Sequence, residues 1–280
     1  DFNAKPCPLA SAFADFLMEE RGYETQMRPS YTVQVREACD AAIVSGWRRR
    51  GTVLITKQLH DELRFKGIPF LTISDGFVRR KKDWVTSQPD SADFYSKGNV
   101  PDAYSAVARD GLHAYGKHVP LDFAGPERWE RLGIEMKPWR RSGEHIVVAH
   151  QHVPYGPDGV NRPAWYWQIL GDILSNTKRP IVFRAHPRLY VKKKSNLERL
   201  WHEVVNRFNN DPRIRLSSGS LADDLEGAHV LVTYDSNAAL DAVLNGVPIC
   251  VQGKTMADPV AGRGMANLID PVTPDREQWA

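Results

Sequence analysis

The twenty residues His229-Val-Leu-Val-Thr-Tyr-Asp-Ser-Asn-Ala-Ala-Leu-Asp-Ala-Val-Leu-Asn-Gly-Val-Pro248 constrain this chain most. Val230–Thr233 is a short apolar, β-branched run of the kind that forms a strand covered on both faces. A tight polar turn follows, and then a helix that the spacing opens at Ser236 and stops at Gly246. Ser236 and Asn237 then stand at a helix N-terminus, where N–H groups and the helix dipole favour an anion such as phosphate. One turn further in, Asp241 is placed to accept hydrogen bonds from a ribose hydroxyl. Alone, these residues also read as an ordinary serine-capped helix. The neighbouring strand ends bear on the choice.

The rest of the second half repeats the pattern. Strands are expected at Ile146–Ala149, Ile181–Arg184, Ile214–Leu216 and Ile249–Val251, with helices expected at 164–176, 196–209, 221–226 and 238–245. Strands alternating with helices imply βαβ units and a parallel sheet with helices on both faces. The helical spacing of Leu197, Leu200, Trp201, Val204, Val205 and Phe208 marks core. The first half is less regular. Ala41–Val44 reads as a strand, 53–66 as a helix and Phe70–Ile73 as a second strand, followed by a loosely patterned stretch from Thr86 to Phe123. Loops of that length are usually functional or mobile. The segment 126–143 reads as the connection, giving domains at 1–137 and 138–280. Near the end, Thr273-Pro274 is a helix start signal.

Composition narrows the class. With 280 residues, 42% hydrophobic and 25% charged, the chain is globular and long enough for two cores. No apolar run approaches the roughly 18 residues a membrane span needs. The chain opens on Asp1, which reads as a trimmed form, and no secretory signal precedes the first elements. Three separated cysteines (Cys7, Cys39, Cys250) lack metal-ligand spacing and fit a reducing, cytoplasmic setting in a bacterium or a phage-infected host. No metal site is expected. The net charge of +3 says little, but its distribution does. From Arg48 to Lys82, ten Lys/Arg face only Asp61, Glu62 and Asp75, with aromatics interleaved. Such a stretch can track an anionic polymer and stack on bases. The acceptor-binding candidates are therefore Trp47, Arg48, Arg49, Arg79 and Arg80; a solvated charged surface is the plainer alternative.

In a parallel α/β sheet, ligands bind beyond the carboxyl ends of the strands. Those ends carry His150-Gln151-His152, Arg184-Ala-His186-Pro-Arg188, Ser217-Ser218-Gly-Ser and Tyr234-Asp-Ser236-Asn237. Four polar strand ends at one edge suit a nucleotide-type ligand. Proline after His186 fixes the turn, so the imidazole can face a phosphate oxygen with Arg184 and Arg188 beside it. The donor-site candidates are Gln151, Arg184, His186, Arg188, Ser217, Ser218, Tyr234, Ser236, Asn237 and Asp241. Walker-type and G-x-G-x-x-G loops are absent, which argues against a P-loop enzyme and an ordinary NAD enzyme. G-x-S-x-G and H-E-x-x-H are absent too.

The His186-Pro187 pair after one strand, followed by a strand–Ser/Asn–helix unit ending "DAVLNGVPICV", resembles the donor domain of GT-B glycosyltransferases. The resemblance is greatest to capsule-polysaccharide and Kdo-type transferases and related phage-encoded proteins, and it covers roughly residues 144–270. It implies that His186, Ser236 and Asn237 hold the donor's phosphates and that Asp241 meets the ribose. Asp241 stands where the family often has Glu. The segment "RDGLHAYG" from Arg109, with "PERWERLGIEMKPWRRSGEHIVV", also resembles phage and bacterial proteins of this type and implies that the first domain is the acceptor side.

The resulting expectation is an α/β protein of GT-B-like form, with two Rossmann-like domains whose parallel sheets face a central cleft. It would be a metal-independent transferase with no tightly bound cofactor and a UDP-, CMP- or GDP-linked sugar as co-substrate. Glycosyl transfer needs a stabilised leaving phosphate and often a carboxylate base. Asp110, Asp75 and His113 are the catalytic candidates, although each carboxylate also suits an Asx-type turn. The acceptor reading leans to hydroxymethylated pyrimidine in phage-type DNA. The alternatives are an acidic capsule or lipopolysaccharide glycan, a nucleotide-sugar epimerase of the same fold, and a non-catalytic nucleotide-sugar binder.

Overall fold

The computed structural model of the chain describes residues 8–25, 39–45, 49–50, 53–79, 103–110, 130, 134–151, 160–187, 189 and 194–276. These fall into two compact units, one holding the described residues up to Asp110 and the other those from Glu130.

The first unit contains helix α1 (Pro8–Arg21), strands β1 (Ala42–Ser45), β2 (Arg49–Arg50) and β3 (Val53–Leu54), helix α2 (Ile55–Phe65), and strands β4 (Phe70–Arg79) and β5 (Ala103–Arg109). β1 runs parallel to β4, and α2 lies between them in the chain, as a βαβ unit requires. Val44, Leu63 and Phe70 form its core, with Leu59 and Ile68 against them. Two expectations are corrected here. β5 lies within the stretch read as a long loop and pairs antiparallel with β4, so this sheet is mixed. β4 also continues past Ile73, which puts Asp75 in a strand opposite Ser105 and not in a turn. Pairing with β5 overrides the turn signal of Ser74-Asp75-Gly76, and the register shift between Asp75 and Arg79 absorbs the glycine.

The second unit is the regular one. Strand β6 (His145–Ala149) leads through helix α3 (Arg162–Asn176) to β7 (Ile181–Arg184), then through α4 (Lys194–Arg207) to β8 (Ile214–Leu216). Helix α5 (Leu221–Leu225) precedes β9 (Ala228–Thr233), and α6 (Ala238–Leu244) precedes β10 (Ile249–Val251). A short helix α7 (Ala266–Ile269) follows. All five strands are parallel, in the order β10-β9-β6-β7-β8. β6, β7, β9 and β10 are buried at every residue, as a sheet covered on both faces demands. Ile146, Val148, Tyr166, Leu170, Ile173 and Phe183 centre its core. Asn161 caps α3 by accepting from the Ala164 N–H, and Ser220 with Asp223 forms a capping box on α5. The α/β class expected from the sequence is what the chain adopts.

The chain enters and leaves this unit at one place. Lys137 and Arg140 donate backbone N–H bonds to Leu244 O and Gly246 O, and Gly246 has φ +70 with Pro138 O against it. A Cβ there would meet that oxygen at 2.0 Å, so glycine is required for the close approach as well as for the left-handed backbone. On the way out, Pro274 O accepts from Trp139 Nε1 and the Arg276 guanidinium stacks 4.0 Å over the Trp139 ring. Arg276 also donates to Val243 O and Lys137 O. Thr273 and Pro274 therefore start no helix before Arg276; the segment is irregular because its polar groups are drawn onto the entering segment at Lys137–Trp139.

Candidate functional site

The strand order sets where a ligand can sit in the second unit. From β6 the chain moves outward through β7 and β8, then returns to place β9 on β6's other flank. The point where the order reverses, between the carboxyl ends of β6 and β9, is where an open parallel sheet forms its binding crevice.

Side chains tie these two ends together. Ala149 O, at the end of β6, accepts from the Tyr166 hydroxyl at 2.8 Å and from the Thr233 hydroxyl at 3.0 Å. Burial pushes the Tyr166 phenol well above its usual pKa, so it stays a protonated donor. Beside them, Arg162 donates to Asp235 Oδ2 at 2.6 Å and to Val160 O at 2.9 Å. Its guanidinium lies 3.8 Å over the Tyr234 ring. Gly253 covers the same ring: a Cβ at 253 would stand 2.5 Å from it. Tyr234, a donor-site candidate, is thus a packed wall of the crevice.

The remaining candidates divide by what already engages them. Arg184 donates to Asp224 Oδ2 at 2.6 Å, Gly219 O at 2.9 Å and Ser217 Oγ at 3.1 Å, and Ser217 donates to the same carboxylate. Arg184 and Ser217 therefore join β7 to the β8–α5 turn. Ser236 Oγ accepts from Ala238 N, so α6 opens at Ala238, where the expected 238–245 helix begins and two residues past the Ser236 opening also read from the spacing, with Asn237 at the cap position making no side-chain cap bond. His186 and Ser236 are half-buried, while Ser218, Asn237 and Asp241 are exposed. Gln151 Oε1 is buried at the end of β6 with no hydrogen-bond partner among the described residues. A buried carboxamide oxygen in that state costs about 1–3 kcal/mol until a donor reaches it, which suits a ligand-contacting role. Arg188 lies outside the described residues.

Sequence reasoning missed Arg162, Tyr166, Thr233, Asp224 and Asp235. The Asn161 cap ahead of Pro163 was the available signal that Arg162 opens a helix pointing at this edge. Among the described residues no three His, Cys, Asp or Glu stand close enough to hold a metal ion, and no helix is long and apolar enough to cross a membrane.

In the first unit, Asp110 follows β5 with φ +53. Its Oδ1 accepts from Phe70 N at 3.3 Å, and its carbonyl accepts from Arg64 Nε and Nη2 at 3.2 and 2.9 Å. The backbone of Asp75, Arg49 and Arg79 is placed in strands as above; Trp47, Arg48, Arg80 and His113 lie outside the described residues. His60 is buried between Thr72, whose hydroxyl is 3.1 Å from Nε2, and the Phe70 ring. Burial, aided by Arg64 and opposed by Asp61, lowers its pKa to about 4. The unfolded chain therefore binds a proton near pH 6.5 that the folded unit resists. Stability is complete above pH 6.5 and falls as pH drops toward 4, by at most on the order of 3 kcal/mol. Urea midpoints measured from pH 7 to 4 should fall less steeply for His60→Gln than for the parent; parallel curves would remove His60 as a cause.

One comparison with known proteins bears on this edge. Residues 138–254 match a family model described as "Putative glycosyltransferase (DUF6716)". That span runs from the entering segment through β10 and includes every strand end discussed above. Two solved structures are similar, both of Thermosulfurimonas dismutans KpsC, at 14% identity each. The beta Kdo 2,4 transferase gives a TM-score of 0.41, with 79% of this chain and 73% of that one covered. The beta Kdo 2,7 transferase gives 0.40, with 85% and 73% covered. No curated protein matches the chain. The resemblance read from the His-Pro and strand–Ser/Asn–helix motifs agrees with the family match.

Proposed function

We propose that the protein transfers a sugar from a nucleotide-linked donor to a hydroxyl acceptor, and that the second unit holds the donor. One observation supports this reading: the glycosyltransferase family match falls on the unit whose parallel strands β6, β7 and β9 are followed by Gln151, His186 and Ser236-Asn237 respectively. His186, Ser236 and Asn237 take the donor's phosphates, and Asp241 takes the ribose. The leaving phosphate is stabilised by these groups and by backbone N–H groups, without a metal. Asp110 of the first unit is the proposed base.

The acceptor is proposed to be an anionic polymer, on the strength of the net +7 between Arg48 and Lys82. Hydroxymethylated DNA is the first acceptor to test and an acidic glycan the second. Radiolabelled UDP-, CMP- and GDP-sugars would be incubated with each. Label in DNA supports the full reading, and label only in the glycan moves the acceptor. Donor turnover with no acceptor present would point to an epimerase, and no turnover at all to a binder. His186→Ala is expected to weaken binding of the active donor about tenfold, a change of about 1.4 kcal/mol. An unchanged dissociation constant would count against the donor assignment.

A further inference from the structure

A cavity of about 190 Å³ lies between α3 and β10, apart from the phosphate candidates. Its apolar wall comes from Trp165, Ile169 and Met265, all half-buried. Three polar side chains line the same space: Gln168 and Asp172 from successive turns of α3, and Gln252 from just beyond β10. None of the three is used by the fold. The Asp172 carboxylate has no ion pair among the described residues, and the carboxamides of Gln168 and Gln252 hydrogen-bond to none of them.

We infer that this cavity is a binding subsite for a single neutral sugar ring, beside the nucleotide-binding crevice, whose Tyr234 wall meets Trp165 edge-on at 5.3 Å. Size, charge and surface chemistry point the same way. At about 190 Å³ it is smaller than the roughly 300 to 1,000 Å³ of pockets for drug-sized ligands, a size that suits a single ring. Asp172 is its one charged lining residue, and a carboxylate repels a phosphate or an acidic sugar. The apolar wall suits the C–H face of a sugar, as aromatic side chains present large apolar area at low entropic cost. The carboxylate accepts and the two carboxamides both donate and accept, which matches the alternating demands of ring hydroxyls. Cys250 forms part of the floor, and burial raises its thiol pKa, so it adds no reactive anion.

Saturation-transfer NMR on the full chain tests this with glucose, galactose and N-acetylglucosamine at millimolar concentration. At least one sugar should receive saturation, and excess UDP should not displace it. The double variant Gln168→Ala, Asp172→Ala should lose the signal at least about tenfold while keeping the parent's melting temperature. Both positions lie on α3 outside the core cluster, so the fold should tolerate the change. The inference is overturned if no sugar gives a signal, if the double variant keeps it, or if UDP competes it away. Failure of UDP itself to bind would count against the donor reading and leave this subsite standing.

Discussion

Arg184→Ala should lower the stability of the second unit by roughly 3–5 kcal/mol, the usual cost of breaking a buried pair and leaving one charge behind. Arg184 and Asp224 are 8% and 3% exposed, 2.6 Å apart, and among the described residues the Asp224 carboxylate would be left with only Ser217 for a partner. For a unit of this size the melting temperature should drop by on the order of 10 °C. Arg184→Met with Asp224→Leu, which removes both charges, should recover part of that loss because no buried charge is left unpaired, while the Ser217 hydroxyl and Gly219 O still lose their partners. Differential scanning calorimetry of the three proteins reads the outcome. A single variant within 0.5 °C of the parent would mean that Arg184 is not a structural cation. If donor binding then fell instead, its first role would be to hold the donor's phosphates.

Arg162→Ala is expected to be comparably destabilising and, in addition, to disorganise the crevice. Arg162 is 1% exposed, so its removal leaves Asp235 without its cation and strips the guanidinium from the Tyr234 face. Those two residues begin the turn that ends in Ser236 and Asn237. Hydrogen exchange should therefore quicken at the amides of Ser236 and Ala238, while the amides of β7 are affected only through global unfolding. Arg162→Lys should fail to rescue, since an ammonium cannot both stack flat on Tyr234 and reach Val160 O and Asp235 together. Asp235→Asn, which keeps a hydrogen-bond acceptor for the guanidinium, should be the milder variant. Exchange at Ser236 and Ala238 that matches the parent's would show that the turn holds its shape without Arg162.

The contrast between these arginines and the strands shows what was readable in the sequence. Ile181–Arg184 and Ile249–Val251 occupy the expected positions because a fully buried parallel strand is a short, nearly uninterrupted apolar run. β5 escaped notice because Ala-Tyr-Ser-Ala-Val-Ala-Arg carries little apolar contrast between its two faces. It becomes a strand through its long-range pairing with β4. Helix α1 carries no acidic residue in its first turn and only Arg21 in its last, and was passed over. The strand-end candidates were found by type and position, since polar residues after apolar runs stand out. Which of them the fold consumes was not legible. Arg184 meets a partner forty residues away and Arg162 one seventy-three away, and a lone charged residue in sequence reads as solvated. Tyr234 looked available because only the folded chain brings Gly253 onto its ring.

The Trp139–Arg276 clasp has an architectural consequence. Because the entering and departing segments are stapled side by side, the second unit is a ring in all but covalent bond. A unit built this way suits insertion into a host loop, since residues 137–140 and 274–276 lie side by side. It can equally be cut at an exposed turn and rejoined across the clasp by a short linker. Portability of that kind lets one parallel sheet be set beside many different neighbours without being redesigned.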